Sequence, residues 1–209
     1  MNEAQGYLIV VEDDPDILEL LVATLTFRGY RVVAARNGKE GLEVIQRERP
    51  AIVIADIMMP KLDGFGLVHR LRINPETRDI PVVFITATYV APEDRDFALN
   101  IGATRFIQKP LDLEKFLTTI AELLKQSPPS AIEPLKEFNF YDGYRIRLET
   151  KLAQINKRIA RDEHLLKTHV AEENQSLRAS LRQAIGEREE LNLLLEQIYK
   201  QLEKYTKPE

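Results

Sequence analysis

The chain has 209 residues, 29 of them basic and 33 acidic, a formal net charge of -4 and no cysteine. This is enough for one good core plus a smaller unit, or for two small domains, and it excludes disulfides and cysteine metal sites. No apolar run approaches the ~20 residues that cross a bilayer, and the start, MNEAQGYLIVVEDD, lacks the basic region and cleavage site of a signal peptide, so a soluble, cytoplasmic protein is expected.

Up to about residue 126, short apolar runs alternate with helical patterns. YLIVV (7–11), RVVAA (31–35), AIVIA (51–55), PVVFIT (81–86) and RFIQ (105–108) read as strands. The first four are nearly continuous runs rich in Val and Ile, as expected of parallel strands covered on both faces. Helices are expected over about 15–28, 37–48, 63–72, 92–101 and 111–125. Asp14 before Pro15 suits a helix start, and Asn37 with Glu40 three residues on resembles a capping box. Five strand–helix repeats predict a doubly wound α/β sheet. In such sheets ligands bind beyond the carboxyl ends of the strands, at the switch in strand order.

The strand ends carry the chemistry. The first ends in Glu12 and Asp13, the third in Asp56, the fourth in Thr86, and the fifth is followed by Lys109 and Pro110. Three carboxylates, a hydroxyl and an ammonium should therefore meet on one rim. Clustered carboxylates repel at reduced dielectric, and a hard divalent cation relieves the repulsion. Mg²⁺ takes oxygen ligands through one or two protein carboxylates and keeps waters, so Glu12, Asp13 and Asp56 are expected to bind Mg²⁺. Each residue alone has a plainer meaning: a helix cap at Glu12 to Asp14, a core side chain at Phe106, a solvated charge at Lys109, a turn at Asp63–Gly64. Together they point elsewhere.

VVEDDP, DIMMPKLDG after the third strand, ITA at the end of the fourth and FIQKP, in this order, resemble the receiver domain of two-component response regulators over roughly residues 6–126. The resemblance implies a flavodoxin-like five-stranded sheet of order 2-1-3-4-5. It makes Asp56 the phosphoacceptor and gives Mg²⁺ to Asp13 directly, Glu12 through water, Asp56 and the Met58 backbone carbonyl. Thr86 and Lys109 would contact the phosphoryl oxygens, Thr86 and Phe106 would form the switch, and the Lys109–Pro110 bond would be cis. Met58 and Thr88 stand where the family's side chains flank the path of the attacking water. Neither is a carboxylate or carboxamide able to orient that water, so self-dephosphorylation should be slow. Apart from accepting and slowly shedding the phosphoryl group, the chain is not expected to be an enzyme. The donor would be a sensor histidine kinase or phosphotransfer protein.

The second half has a different pattern. SPPSAIEP (127–134) reads as a linker, since its three prolines cannot continue a helix, and 127–143 is taken as a connecting segment. From 144 apolar residues recur at coiled-coil spacing: Leu148, Leu152, Ile155, Ile159, Leu166, Val170, then Leu177, Leu181, Ile185, Leu191, Leu195, Ile198, Leu202 and Tyr205. Between 162 and 176 the seam turns polar, at Asp162, His169 or Glu173, Asn174 and Ser176. One long helix dimerising in parallel, or an antiparallel hairpin turning near 171–176, would explain the break. Residues 144–167 carry seven basic and three acidic residues, and 172–203 carry seven acidic and four basic. Basic-first order opposes the macrodipole of a single helix, and the opposite charge of the two halves favours antiparallel contact, in a hairpin or in an antiparallel dimer of straight helices.

Three outputs are weighed. The first is an interaction module, with Asp56 controlling a homodimer or an unknown downstream protein through the helices; its variant is a constitutively dimeric scaffold. The second is DNA binding, which the neutral balance of 14 basic and 14 acidic residues over 130–209 argues against. The third is phosphotransfer through His164 or His169, around which no phosphohistidine motif is recognised.

Overall fold

A computed structural model of the chain describes residues 6–87, 91–126, 133–168 and 174–206. The chain forms two units, 1–135 and 136–209.

In the first unit five strands, β1 (Leu8–Val11), β2 (Val32–Ala35), β3 (Ile52–Ala55), β4 (Val82–Thr86) and β5 (Arg105–Gln108), alternate with helices α1 (Pro15–Phe27), α2 (Gly38–Arg47), α3 (Gly64–Ile73), α4 (Pro92–Asn100) and α5 (Leu113–Lys125). All strands pair in parallel, in the order β2-β1-β3-β4-β5. This is the flavodoxin-like arrangement, and each expected element lies within a few residues of its expected place.

The alternation of strand side chains divides the core. Leu8, Val10, Ile52, Ile54, Val83 and Ile85 pack with Leu21 and Leu25 of α1 and Phe116, Ile120 and Leu123 of α5. Their neighbours face the other way, where Phe65 meets Phe84 edge-on at 5.8 Å and Phe97 at 5.1 Å. Burying both faces is why these strands read as continuous apolar runs.

Local signals set the helix starts. Asp14 Oδ1 accepts from the amides of Asp16 and Ile17 ahead of α1, and Asn37 Oδ1 accepts from Glu40 N at 3.1 Å. The Glu40 carboxylate reaches back to Arg36 N and Asn37 Nδ2, one residue off the standard reciprocal box. Asp63, expected in a turn, caps α3 by accepting from Gly66 N at 2.8 Å.

The second unit is a helical hairpin. Helix α6 runs Glu137–Thr168 and α7 runs Asn174–Thr206. Cross-contacts pair Glu137 with Tyr205, Glu149 with Tyr199, Arg158 with Glu187 and Asp162 with Ser180. Numbers rise on one helix as they fall on the other, so the pair is antiparallel. Leu148, Ile155, Ile159, Ala184, Leu191, Leu195 and Ile198 are buried in this unit. Asp162 is the polar interruption seen in the sequence; Arg161, at 2.9 Å, holds its carboxyl below the usual range.

Residues 137–143, read from sequence as connecting segment, belong to α6. Gly143 costs about 1 kcal/mol within a helix, but Phe140 and Tyr144 on either side are buried and pack with tilted rings, centroids 5.5 Å apart. Most of SPPSAIEP, His169, Val170 and residues 171–173 of the expected turn lie outside the described residues, and residues 174–176 open α7. No helix among the described residues is long and apolar enough to cross a membrane.

Candidate functional site

The switch in strand order falls between β1 and β3. Val11 pairs with Ala55, and Asp56 N donates to Val11 O at 2.9 Å. Glu12 and Asp56 therefore leave adjacent strands at the same level. A carboxylate oxygen from each of Glu12, Asp13 and Asp56 lies within 4.8 Å of the others. Glu12 is 2% exposed and Asp56 6%; Asp13 faces solvent.

Lys109, just beyond β5, closes the cluster. Its Nζ lies 2.8 Å from Glu12 Oε2 and 3.2 Å from Asp56 Oδ1. Met58 N donates to Asp56 Oδ2 at 2.8 Å, so each Asp56 oxygen has a partner. Burial drives Asp56 up to about 7, with Lys109 opposing and Glu12 assisting the rise. Burial also raises Glu12 and Asp13, again against Lys109. Burial alone would lower Lys109, but its hydrogen bond to Glu12 and the charges of Asp56 and Glu12 outweigh it, and its pKa is raised.

The donor set fits a hard divalent cation. All its side-chain donors are oxygens, two of the three carboxylates are buried, and a single ammonium compensates them.

The response regulator receiver domain family matches residues 8–121. The chain belongs to this family. It is 37% identical over 128 residues to an uncharacterised 14.6 kDa protein from the sodA1 3' region of Leptolyngbya boryana, covering 61% of this chain and 97% of that one. It is 36% identical over 138 residues to the transcriptional regulatory protein GlrR of Escherichia coli, covering 66% of this chain but 30% of that protein. Among solved structures, the chemotaxis response regulator CheY4 of Vibrio cholerae superposes with a TM-score of 0.53 at 28% identity, over 57% of this chain and 98% of that one. The family match ends before α6.

Of the other positions singled out in the sequence, Thr86 lies on the same rim. Thr86, fully buried, ends β4, and Lys109 N donates to its carbonyl at 2.9 Å. Phe106 is half-buried on β5, paired in register with Phe84. The Lys109–Pro110 bond is cis. Met58 is half-buried directly after Asp56 and Ile57; Thr88 lies outside the described residues. In the second unit, His164 is exposed on α6.

Sequence reasoning missed how the loop after Asp56 is held. Gly38 N, at the start of α2, donates to Leu62 O at 2.9 Å. That bond is made between backbones, so only the glycine itself could have hinted at it. Arg72 was also passed over. It is 1% exposed, and its guanidinium donates to Gly102 O and Ile80 O.

Proposed function

We propose that the chain accepts a phosphoryl group on Asp56 from a phosphohistidine of a sensor kinase or phosphotransfer protein and passes the signal to its C-terminal hairpin. The observation that carries this is the buried Asp56 carboxylate, 3.2 Å from the Lys109 ammonium and clustered with Glu12 and Asp13.

An Asp56 oxygen attacks phosphorus, the bond from phosphorus to the imidazole nitrogen breaks, and the imidazole keeps the electron pair. An acyl phosphate results. Charge spreads over the equatorial oxygens in the transition state, so catalysis is mainly positioning and neutralisation. Asp13, Asp56, the Met58 carbonyl and, through water, Glu12 would hold Mg²⁺, which would supply neutralisation of the developing negative charge. Lys109 balances the remaining negative charge, and Thr86 donates its hydroxyl to the new phosphoryl group. Movement of Thr86 frees space for Phe106 to turn inward, shifting a two-state equilibrium. Met58 cannot orient a hydrolytic water, which keeps the signal long-lived. In this scheme the chain has no further enzymatic activity.

The output is an interaction module. The hairpin buries its seam within one chain, which leaves its outer faces for a second copy or another protein. Its seven-to-three basic excess in 144–167 is opposed by acidic residues on the other arm, a poor surface for nucleic acid.

Light scattering on the sized chain, with Mg²⁺ and with or without beryllofluoride, tests this. A change in mass or hydrodynamic radius that Asp56→Asn abolishes is expected. If beryllofluoride fails to bind the wild-type chain, the acceptor assignment is wrong. If it binds without changing either quantity, switching through the hairpin's assembly or shape is wrong.

A further inference from the structure

We infer that the first turn of α2 is a positioning element for the loop that follows Asp56, with Gly38 and Glu40 acting through residues 57–63 to set the Met58 carbonyl. The inference rests on the assignment of that carbonyl to Mg²⁺ and adds the parts that aim it.

The loop is fixed at both ends. Met58 N is bound to the Asp56 carboxylate at 2.8 Å, and Gly64 N donates to Ile57 O at 2.8 Å. Between them the chain doubles back, with Leu62 N donating to Pro60 O at 2.8 Å. Lys61 takes a φ of 66°, a left-handed conformation that a residue with a Cβ adopts only when its surroundings impose it.

α2 provides those surroundings. Four amides at a helix start lack partners within the helix. Here the Gly38 amide is spent on Leu62 O rather than on water. A Cβ at position 38 would stand 2.5 Å from Leu62 O and 3.0 Å from Leu62 Cγ. Only glycine lets the helix start approach the loop this closely. Glu40 adds a side-chain link: its carboxylate, oriented by Arg36 N and Asn37 Nδ2, lies 3.6 Å from Lys61 Nζ. Two contacts thus hold consecutive residues, Lys61 and Leu62, within a few positions of Met58.

Linkage gives the test. If α2 and the cation both favour one loop conformation, each strengthens the other's hold by the same factor. In the full-length, ¹⁵N-labelled chain, Mg²⁺ is titrated while the Met58 amide shift reports binding and hydrogen exchange reports the Gly38 amide. Saturating Mg²⁺ should slow exchange at Gly38 by about fivefold or more, with the midpoint of the Met58 shift. Gly38→Ala should weaken Mg²⁺ binding by a similar factor, and Glu40→Gln should do so to a smaller degree. Gly38 exchange indifferent to Mg²⁺, or a folded Gly38→Ala chain binding Mg²⁺ as wild type does, overturns the inference. The exchange measurement uses the wild-type chain and stands even if Gly38→Ala does not fold. A Met58 amide that ignores Mg²⁺ in the wild type overturns the metal assignment itself, and this inference with it.

Discussion

Lys109 Nζ lies 2.8 Å from Glu12 Oε2 across 97 residues of sequence. The same ammonium is 3.2 Å from Asp56 Oδ1, so one cation spans two buried carboxylates, and under the proposed function it is the charge that would face the phosphoryl group. Lys109→Ala should lower the rate of Asp56 phosphorylation by a small-molecule phosphoramidate about 100-fold, the scale for removing a preorganised electrostatic partner. Rates followed on a phosphate-affinity gel check this; a loss below about threefold would remove Lys109 from the transition state.

The raised pKa of Asp56 is a stability statement. Its carboxyl stands at about 7 in the fold against 3.8 for an ordinary aspartate, so the folded chain holds a proton that the unfolded chain has released between those values. Stability without metal should then fall as pH rises from near 4 through about 7. Asp56→Asn removes the penalty. In EDTA it should be more stable than wild type by about 4 kcal/mol at pH 8, with the gap closing toward pH 4. Urea unfolding at several pH values measures this; a gap independent of pH would contradict it.

Under the proposed function Met58 flanks the path of the hydrolytic water, and its thioether is at best a weak acceptor that does not orient it. Met58→Asn should speed loss of the phosphoryl group by about tenfold or more, with Mg²⁺ affinity little changed because the backbone carbonyl is retained. A wild-type acyl phosphate that decays within seconds in Mg²⁺, without a phosphatase, would contradict the account.

Arg72 is a buried strut. Its Nη2 lies 2.7 Å from Gly102 O and 2.9 Å from Ile80 O, tying the end of α4 to the approach to β4, and burial lowers its pKa to about 10. Gly102, at φ 106°, leaves the space it fills. Arg72→Met should strip two carbonyls of their partner and cost about 2–4 kcal/mol. Denaturant unfolding reads the loss.

In the hairpin, Leu191 is 1% exposed. Leu191→Ala should destabilise the second unit by about 2–4 kcal/mol, seen as a lower melting temperature of the helical circular dichroism signal.

Much of the first unit was legible because its physics is local. Continuous Val and Ile runs such as IVIA mark doubly covered strands, and Glu12, Asp13, Asp56 and Lys109 sit one or two residues beyond strand ends, where the topology must bring them together. The hairpin was half legible: opposite charge on the two arms favoured antiparallel pairing, but seam spacing alone fits a long helix equally well. The start of α6 was hidden because Gly143 reads as a breaker until the burial of Phe140 and Tyr144 is known. Arg72 was hidden because an arginine on a helix reads as surface charge, and the carbonyls that receive it come from residues 80 and 102. The bond from Gly38 to Leu62 passes between backbones and leaves no side-chain signature.

Under the proposed function Asp56 is the acceptor, and chemical trapping tests it most directly. The chain is treated with phosphoramidate and Mg²⁺, the acyl phosphate is trapped by borohydride reduction, and the modified residue is mapped by peptide mass spectrometry. Modification is expected at Asp56 alone, lost in EDTA and in Asp56→Asn. Modification at another carboxylate, or at His164, or undiminished labelling in Asp56→Asn, would contradict it.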